Sequence, residues 1–314
     1  FLMSVLDKDL ENNLKRKEKL DEFITNEHYL ALKNLNILNS SELIGFHGQT
    51  IYHNPKNGTS IQLGDPKKLA KMLSKNVVSD FRSKDLSFGG QGAPLAPIYH
   101  KFLIEKLKLR LPSCIINIGG VSNLTYWDGK NLIGFDTGPG NALLDDFMMS
   151  KLHAACDLDG ALAATGTANQ ALIANWMTHP YFTQKWPKSL DRQEFSRKLS
   201  DPDFVRLSVA DAAATLTSFT AQTIAHAIGK LPMPPRSVFV AGGGRRNLTM
   251  MRDLSSCMSM PIVTQKTEAF DADMLEAELM AFLAARFHYG LPTSFPHTTG
   301  CRRPVSGGQL ALAR

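Results

Sequence analysis

Cysteine is scarce in this 314-residue chain, and the four present, Cys114, Cys156, Cys257 and Cys301, lie far apart with no CxxC pair. That spacing offers neither a zinc ligand set nor a disulfide framework, so a reducing compartment is expected and no metal-ligating residue is assigned. No uninterrupted apolar stretch reaches the ~20 residues of a membrane span, and no charged head followed by an apolar signal core opens the chain. Membrane contact is therefore not expected, and the cytoplasm is the expected compartment. The formal charge of +6 favours anionic ligands in general, but the basic residues are scattered except for LKRKEK at 14–19, which reads as a solvated helix face. Nucleic-acid binding would need a denser basic stripe with interleaved aromatics, and that is missing. Internal repeats and low-complexity tracts are missing as well. The chain opens FLMSVLDKDLENN, with Phe1 in place of a start methionine and no strand or glycine turn ahead of the first helical segment, so a piece of something longer is expected.

What is present is an ordinary globular balance, 43% hydrophobic and 20% charged, at a length sufficient for two domains. Helical spacing of apolar residues runs from Val5 to about Leu38. The period then changes. Leu43 to Phe46 reads as a strand entering a polar His-Gly-Gln-Thr corner, and SIQLGDP (60–66) as a second strand, with Asp65 and Pro66 placed to cap and open a helix. Residues 76–97 read as a strand and a glycine-rich polar loop, followed by a helix over IYHKFLIEKLKL. Beyond Pro112, β runs at about 114–118, 123–127 and 132–135 are joined by a Gly-Gly turn and by Asp-Gly-Lys-Asn, which predicts an antiparallel meander. Helices are expected at 139–151, 167–178, 205–229 and 271–287, and strands at RSVFVAG and PIVTQ. The C-terminal CRRPVSGGQLALAR carries no clear structural reading. Meanders alternating with helices predict an α/β protein of two related lobes, 1–112 and 113–314, with the helix at about 271–288 packing back on the first.

Four segments carry candidate chemistry. NIGGVSN puts Gly119 and Gly120 between paired strands with Ser122 and Asn123 after them, where bare backbone amides can converge on a phosphate or simply make a tight hairpin. VAGGGRRN sets Gly242, Gly243 and Gly244 between a buried strand and a helix start, a surface on which a base and ribose can lie, or a loosely built strand-to-helix turn, for which one or two glycines would do. FRSKDLSFGGQGAPL gathers polar groups of both signs on permissive backbone, suited to a polyhydroxyl ligand or to a stitched surface loop, and the HGQT corner belongs with it. In GFDTGPGN, Asp136 ends a strand beside a Gly-Pro-Gly corner and next to the Gly-Gly hairpin, where one carboxylate can take a proton in a phosphoryl-transfer cleft or simply be a turn residue.

Taken in order, GFHGQTIYHNP, SIQLGDP, VVSDFRSKDLSFGGQGAPLAP, INIGGVSNLT, GFDTGPGN, VFVAGGGRRN and LEAELMAFLAARF resemble the anhydro-N-acetylmuramic acid kinase family over about Leu43 to Phe287. The resemblance implies two RNase H-like lobes of the actin, Hsp70 and hexokinase type, a homodimer, and ATP accompanied by Mg2+ in recycling bacterial cell-wall sugar. It implies that Asp136 activates the water that opens the 1,6-anhydro bridge while O6 accepts the γ-phosphate. It places Gly119, Gly120, Ser122, Asn123, Gly242, Gly243, Gly244 and Asn247 against ATP. His47, Gln49, Thr50, Asp80, Arg82, Gly90, Gln91, Gly92, Asn141 and Glu276 fall on the sugar side. The family's Gly-Thr-Ser-x-Asp-Gly phosphate loop has no counterpart before the first helix. A first lobe that is incomplete is therefore expected, with a sugar- or nucleotide-binding fragment as the alternative to an active kinase.

Overall fold

The computed structural model describes residues 14–35, 38–258, 262–263 and 274–314. Residues 5–13 of the first expected helix, 271–273 of the last, and most of PIVTQ lie outside them. The chain forms two compact units, one running through Leu95 and resuming from Glu276 to Arg314, the other Ala96–Leu275.

In chain order the first unit contributes α1 (Leu14–Lys33), β1 (Leu43–Gly45), β2 (Gln49–Asn54), β3 (Thr59–Leu63), α2 (Pro66–Leu73), β4 (Asn76–Ser79) and α3 (Ser83–Ser87). The second contributes α4 (Pro97–Lys106), β5 (Ser113–Ile118), β6 (Val121–Trp127), β7 (Leu132–Pro139), α5 (Ala142–Leu152), α6 (Gln170–Trp176), α7 (Pro202–Val205), α8 (Val209–Gly229), β8 (Ser237–Ala241), α9 (Leu248–Cys257) and β9 (Ile262–Val263). α10 (Leu275–His288), α11 (Pro296–Thr299) and β10 (Gln309–Ala311) follow.

The first unit is built on a sheet of order β1-β4-β10, with β1 parallel and β10 antiparallel to β4, and a β2-β3 ribbon. Its core joins Leu20 and Ile24, one turn apart on α1, to Ile44, Leu63, Leu69, Leu73, Val77 and Ala311. Asp65 caps α2 as its sequence predicts, its carboxylate accepting from the amides of Lys67 and Lys68. Three features differ from the expected elements. Gln49 and Thr50 are not a corner but the first residues of β2, a half-exposed ribbon strand whose polar side chains hide the alternation. The 81–95 stretch contains the short helix α3. The C-terminal tail supplies β10, which registers Gln309, Leu310 and Ala311 against Ser79, Val78 and Val77.

The second unit holds a mixed sheet of order β7-β6-β5-β8-β9. The predicted meander is there, its second turn closed by Asp128 accepting from the amides of Lys130 and Asn131. α8 covers the sheet with Ala221, Ile224, Ala227 and Ile228, which pack on Ile116, Leu124 and Val240. Its other end joins an aromatic cluster around the fully buried Trp176, Phe195 and Phe219. β7 continues through Pro139, held by pairing to Val121, so α5 starts at Ala142 rather than at 139. α8 starts at Val209 because Ser208 caps it, its hydroxyl accepting from the Asp211 amide. Among the described residues no helix is long and apolar enough to cross a membrane.

Candidate active site

Asp136 lies near the end of β7, opposite Asn123 of β6, just past a register shift between Ser122 and Asn123. It is 9% exposed and clamped from the 186–190 segment. Its amide donates to Lys188 O at 3.0 Å, and its Oδ2 accepts from the Leu190 amide at 2.8 Å. The Tyr181 hydroxyl donates to its carbonyl at 2.5 Å. A carboxylate gripped this way has a fixed direction, the requirement for a general base. Cross-strand pairing also puts Asn123 beside Asp136 on the same face of the sheet. Ser122, one residue earlier, is fully buried, and its hydroxyl has no partner among the described residues.

The Gly119–Gly120 turn is joined to the Gly-Pro-Gly corner through its carbonyls. Gly119 O accepts from the Asn141 amide at 2.8 Å, and Gly120 O from the Gly140 and Ala142 amides at 3.0 and 3.2 Å. Neither turn glycine has a positive φ. A Cβ added to Gly119 or Gly120 would meet nothing nearer than 3.6 Å, whereas on Gly140 it would stand 2.1 Å from Gly119 O. The fold thus requires Gly140 but not the two turn glycines. The glycine triplet divides the same way. Gly242 has φ +80° and lies against Ile118 O, and Gly244 lies against the Ile118 side chain, with added Cβ distances of 2.5 and 2.3 Å. Gly243 is open, its added Cβ meeting only Asn141 Nδ2 at 3.6 Å. Three glycines, Gly119, Gly120 and Gly243, therefore present bare backbone for which local packing gives no reason. The triplet passes into a 3-10 turn, Gly243–Arg246, before α9 begins. Asn247 caps α9, its Oδ1 accepting from the Met250 amide at 2.8 Å.

On the first unit, a concavity of about 260 Å³ is lined by residues including His47, Gln62, Ser79, Asp80 and Ser83. Arg82 Nε donates to His47 Nε2 at 3.0 Å, and His47 Nδ1 stands 3.1 Å from Gly48 O, so the ring is neutral with its proton on Nδ1. Burial first, and the Arg82 charge second, hold its pKa down at about 4. Arg82 Nη1 also donates to Gly92 O at 2.8 Å. Asp80, at φ +51°, spends one oxygen on the Ser83 amide and the other on Gln309 Nε2. Asp85 is wholly buried and accepts from Thr299 Oγ1 and the Gly92 amide, each at 2.7 Å, and from Ser294 Oγ at 2.5 Å. A Cβ on Gly90 would stand 2.2 Å from Asp85 Oδ2, so that glycine serves the approach of this carboxylate. The Gln91 amide donates to Thr299 O at 2.7 Å. Thr50 Oγ1 accepts from Gln62 Nε2 at 3.3 Å, Gln49 is exposed, and Glu276 stands exposed in the first turn of α10.

The family model for anhydro-N-acetylmuramic acid kinase matches residues 5–313. The chain belongs to that family. It is 48% identical over 273 residues to the anhydro-N-acetylmuramic acid kinase of Rhodopseudomonas palustris strain HaA2, covering 86% of this chain and 73% of that one. It is 43% identical over 297 residues to the enzyme of that name from Methylobacterium nodulans, covering 93% and 78%. A solved structure, the activator of the 2-hydroxyisocaproyl-CoA dehydratase from Clostridium difficile with bound ADPNP, is similar at a TM-score of 0.37 and 17% identity, covering 58% of this chain and 64% of that one.

Several residues of this kinase that surround the expected site escaped the sequence reading. Asn117 is the polar interruption of an otherwise apolar strand, and its side chain lies against Gly242, where an added Cβ would stand 2.5 Å from its Oδ1. Unlike these, Asn141 was expected, on the sugar side, and its side chain lies against Gly243 and Gly244, linking the two glycine turns. Tyr181 and Lys188 come from a stretch with no motif signal. Lys188 is buried, donates to Tyr181 O at 2.8 Å and lies over the Tyr181 ring at 4.2 Å. Burial brings its ammonium down to about 8, with the Asp136 charge opposing. Asp145, half-buried in the first turn of α5, is held up at about 6 by burial and then by Asp146, with Arg192 opposing.

Proposed function

We propose that this chain carries the site of an ATP-dependent kinase that hydrolytically opens 1,6-anhydro-N-acetylmuramic acid and leaves the phosphate on O6. The observation that carries the reading is the clamped Asp136 carboxylate beside a glycine turn whose bareness the fold does not require. In the proposed step, Asp136 takes a proton from water and the hydroxyl bonds to C1. The C1–O6 bond breaks, and O6 keeps its electron pair and bonds to the γ-phosphorus as the bond to ADP breaks. The products are N-acetylmuramic acid 6-phosphate and ADP. The amide of Leu190 fixes the direction of the base, and Asn123 flanks it. Gly119, Gly120 and Gly243 receive the nucleotide on backbone that a side chain would otherwise cover. His47, Arg82 and the 88–92 loop, arranged around Asp85, present the sugar side. Mg2+ would arrive on the phosphate oxygens and neutralise their charge, which asks for few protein ligands. Among the described residues no group of three or more His, Cys, Asp or Glu forms a cage for it. The same reading has the protein act as a homodimer in the cytoplasm, where its cosubstrate ATP is found, in cell-wall sugar recycling.

The test is Asp136→Asn assayed for ADP release with the anhydro sugar. A positioned general base contributes about 10²–10⁴ in rate. A loss of that order with nucleotide affinity unchanged is expected, and a variant turning over within a factor of three of the unsubstituted chain would refute the role. An unsubstituted chain that binds sugar or nucleotide calorimetrically but releases no ADP would instead establish a binding fragment.

A further inference from the structure

The segment that clamps Asp136 continues for two residues and delivers Arg192 to the glycine turn. A Cβ on Gly120 would stand 3.6 Å from Arg192 Nε and 3.8 Å from its Cδ, so the guanidinium stem lies directly over the exposed turn backbone. The guanidinium is kept there by Asp146 of α5, with Arg192 Nη2 donating to Asp146 Oδ1 at 2.8 Å. α5 is itself anchored to the same turn, since the Ala142 amide donates to Gly120 O. Arginine over bare glycine backbone is a phosphate-recognition arrangement: five fixed donors match tetrahedral oxygens, and no Cβ holds the anion off. The Asp146 pair does not oppose this. Its side chains are 40% and 35% exposed, and a pair that open to water is worth about 0–1 kcal/mol. A polyphosphate, with more negative charge and more acceptors, would outcompete it.

We propose that Arg192 binds the β- and γ-phosphates of a nucleotide seated at the Gly119–Gly120 turn, with Asp146 holding the guanidinium over the turn when no nucleotide is bound. The inference rests on the nucleotide reading above and adds a residue and a phosphate preference to it. It also has a structural consequence. Leu190, which donates to the Asp136 carboxylate, and Arg192 lie on one short segment, so the base and the phosphate-binding cation share a mount.

Calorimetric titration of the full chain with AMP and with the β,γ-imido analogue of ATP decides it. Arg192→Met is expected to weaken the imido analogue tenfold or more while AMP affinity stays within twofold, and Arg192→Lys to fall between. Thermal melts within about 2 °C of the unsubstituted chain exclude misfolding as the cause. Arg192→Met that binds the imido analogue as tightly as the unsubstituted chain overturns the proposal, as does an equal loss for AMP. An unsubstituted chain that binds neither nucleotide overturns the nucleotide reading itself, and Arg192's role with it.

Discussion

Replacing Gly120 by alanine separates a glycine kept for a ligand from one kept for the fold. The added Cβ would meet Ala142 Cβ, Arg192 Nε and Arg192 Cδ at 3.6 to 3.8 Å, all ordinary contacts, and φ at this residue is not positive. A Gly-to-Ala change at a compatible position alters stability by under about 1 kcal/mol, often favourably, because the unfolded chain loses freedom. Gly140→Ala is the control. There the methyl would stand 2.1 Å from Gly119 O, a backbone atom that cannot swing aside, and overpacking of that kind costs about 1–3 kcal/mol or more. At ~2–4 °C per kcal/mol for a unit of this size, Gly120→Ala should melt within about 4 °C of the unsubstituted chain and Gly140→Ala roughly 2–12 °C lower. Nucleotide affinity should move the other way for Gly120→Ala, since a methyl between amide and phosphate oxygen removes at least one charge-assisted bond, about 1.5–3 kcal/mol or some tenfold to hundredfold in Kd. Melting by calorimetry and binding by titration on the same preparations provide both numbers. Equal destabilisation by the two substitutions, or Gly120→Ala with undiminished nucleotide affinity, would refute the reasoning.

Two further outcomes are expected. Asp85→Asn puts an N–H₂ in place of one oxygen, facing either the Ser294 and Thr299 hydroxyls at Oδ1 or the Gly92 amide at Oδ2, all of which donate to the carboxylate. A loss of about 2–4 kcal/mol in urea unfolding follows from one or two buried bonds to a charged group, and a change below 0.5 kcal/mol would show the cluster is not held by the charge. Acidification should also weaken the fold. His47 and His100 both have pKa values lowered from 6.5 to about 4, by burial in each case, with Arg82 adding to the effect at His47. The folded state therefore favours their neutral form. Their contribution, of order 3 kcal/mol each, is complete above pH 6.5 and lost as pH falls through 4. Asp145 has its pKa raised from 3.8 to about 6 and acts in the opposite sense, gaining as pH falls through that window, but half-exposure reduces its weight. His100→Gln should flatten the unfolding free energy between pH 6.5 and 4, and an unaltered slope would remove His100 as a cause.

Local chemistry was legible in the sequence and long-range pairing was not. Asp65-Pro66 announces α2, and Asp-Gly-Lys-Asn announces the β6–β7 turn, because each signal and its hydrogen-bond partner lie within a few residues. Asp136 was visible because a lone carboxylate at a strand end next to Gly-Pro-Gly is chemically odd. The residues that hold it, Tyr181, Lys188 and Leu190, lie 45 to 54 positions away in a stretch without periodicity. Asp85 was seen in its loop, but its partners Ser294 and Thr299 are 209 and 214 residues distant. The glycines were found by composition alone. Dividing them into those the backbone requires and those it leaves open took three-dimensional neighbours, because sequence shows neither φ nor what a Cβ would strike.

β4 receives its last partner from Gln309–Ala311. On the ribosome that pairing reverses the usual order of events. Ala96–Leu275 leaves the exit tunnel with every strand of its described sheet, while the unit begun before it still waits for Gln309–Ala311. Through that interval one edge of β4 stands open, and an open strand edge is a template for another chain. A nascent chain paused after α10 therefore leaves Val77 and Val78 unpaired on that side, and the time to translate from α10 to Gln309–Ala311 sets how long the edge stays open.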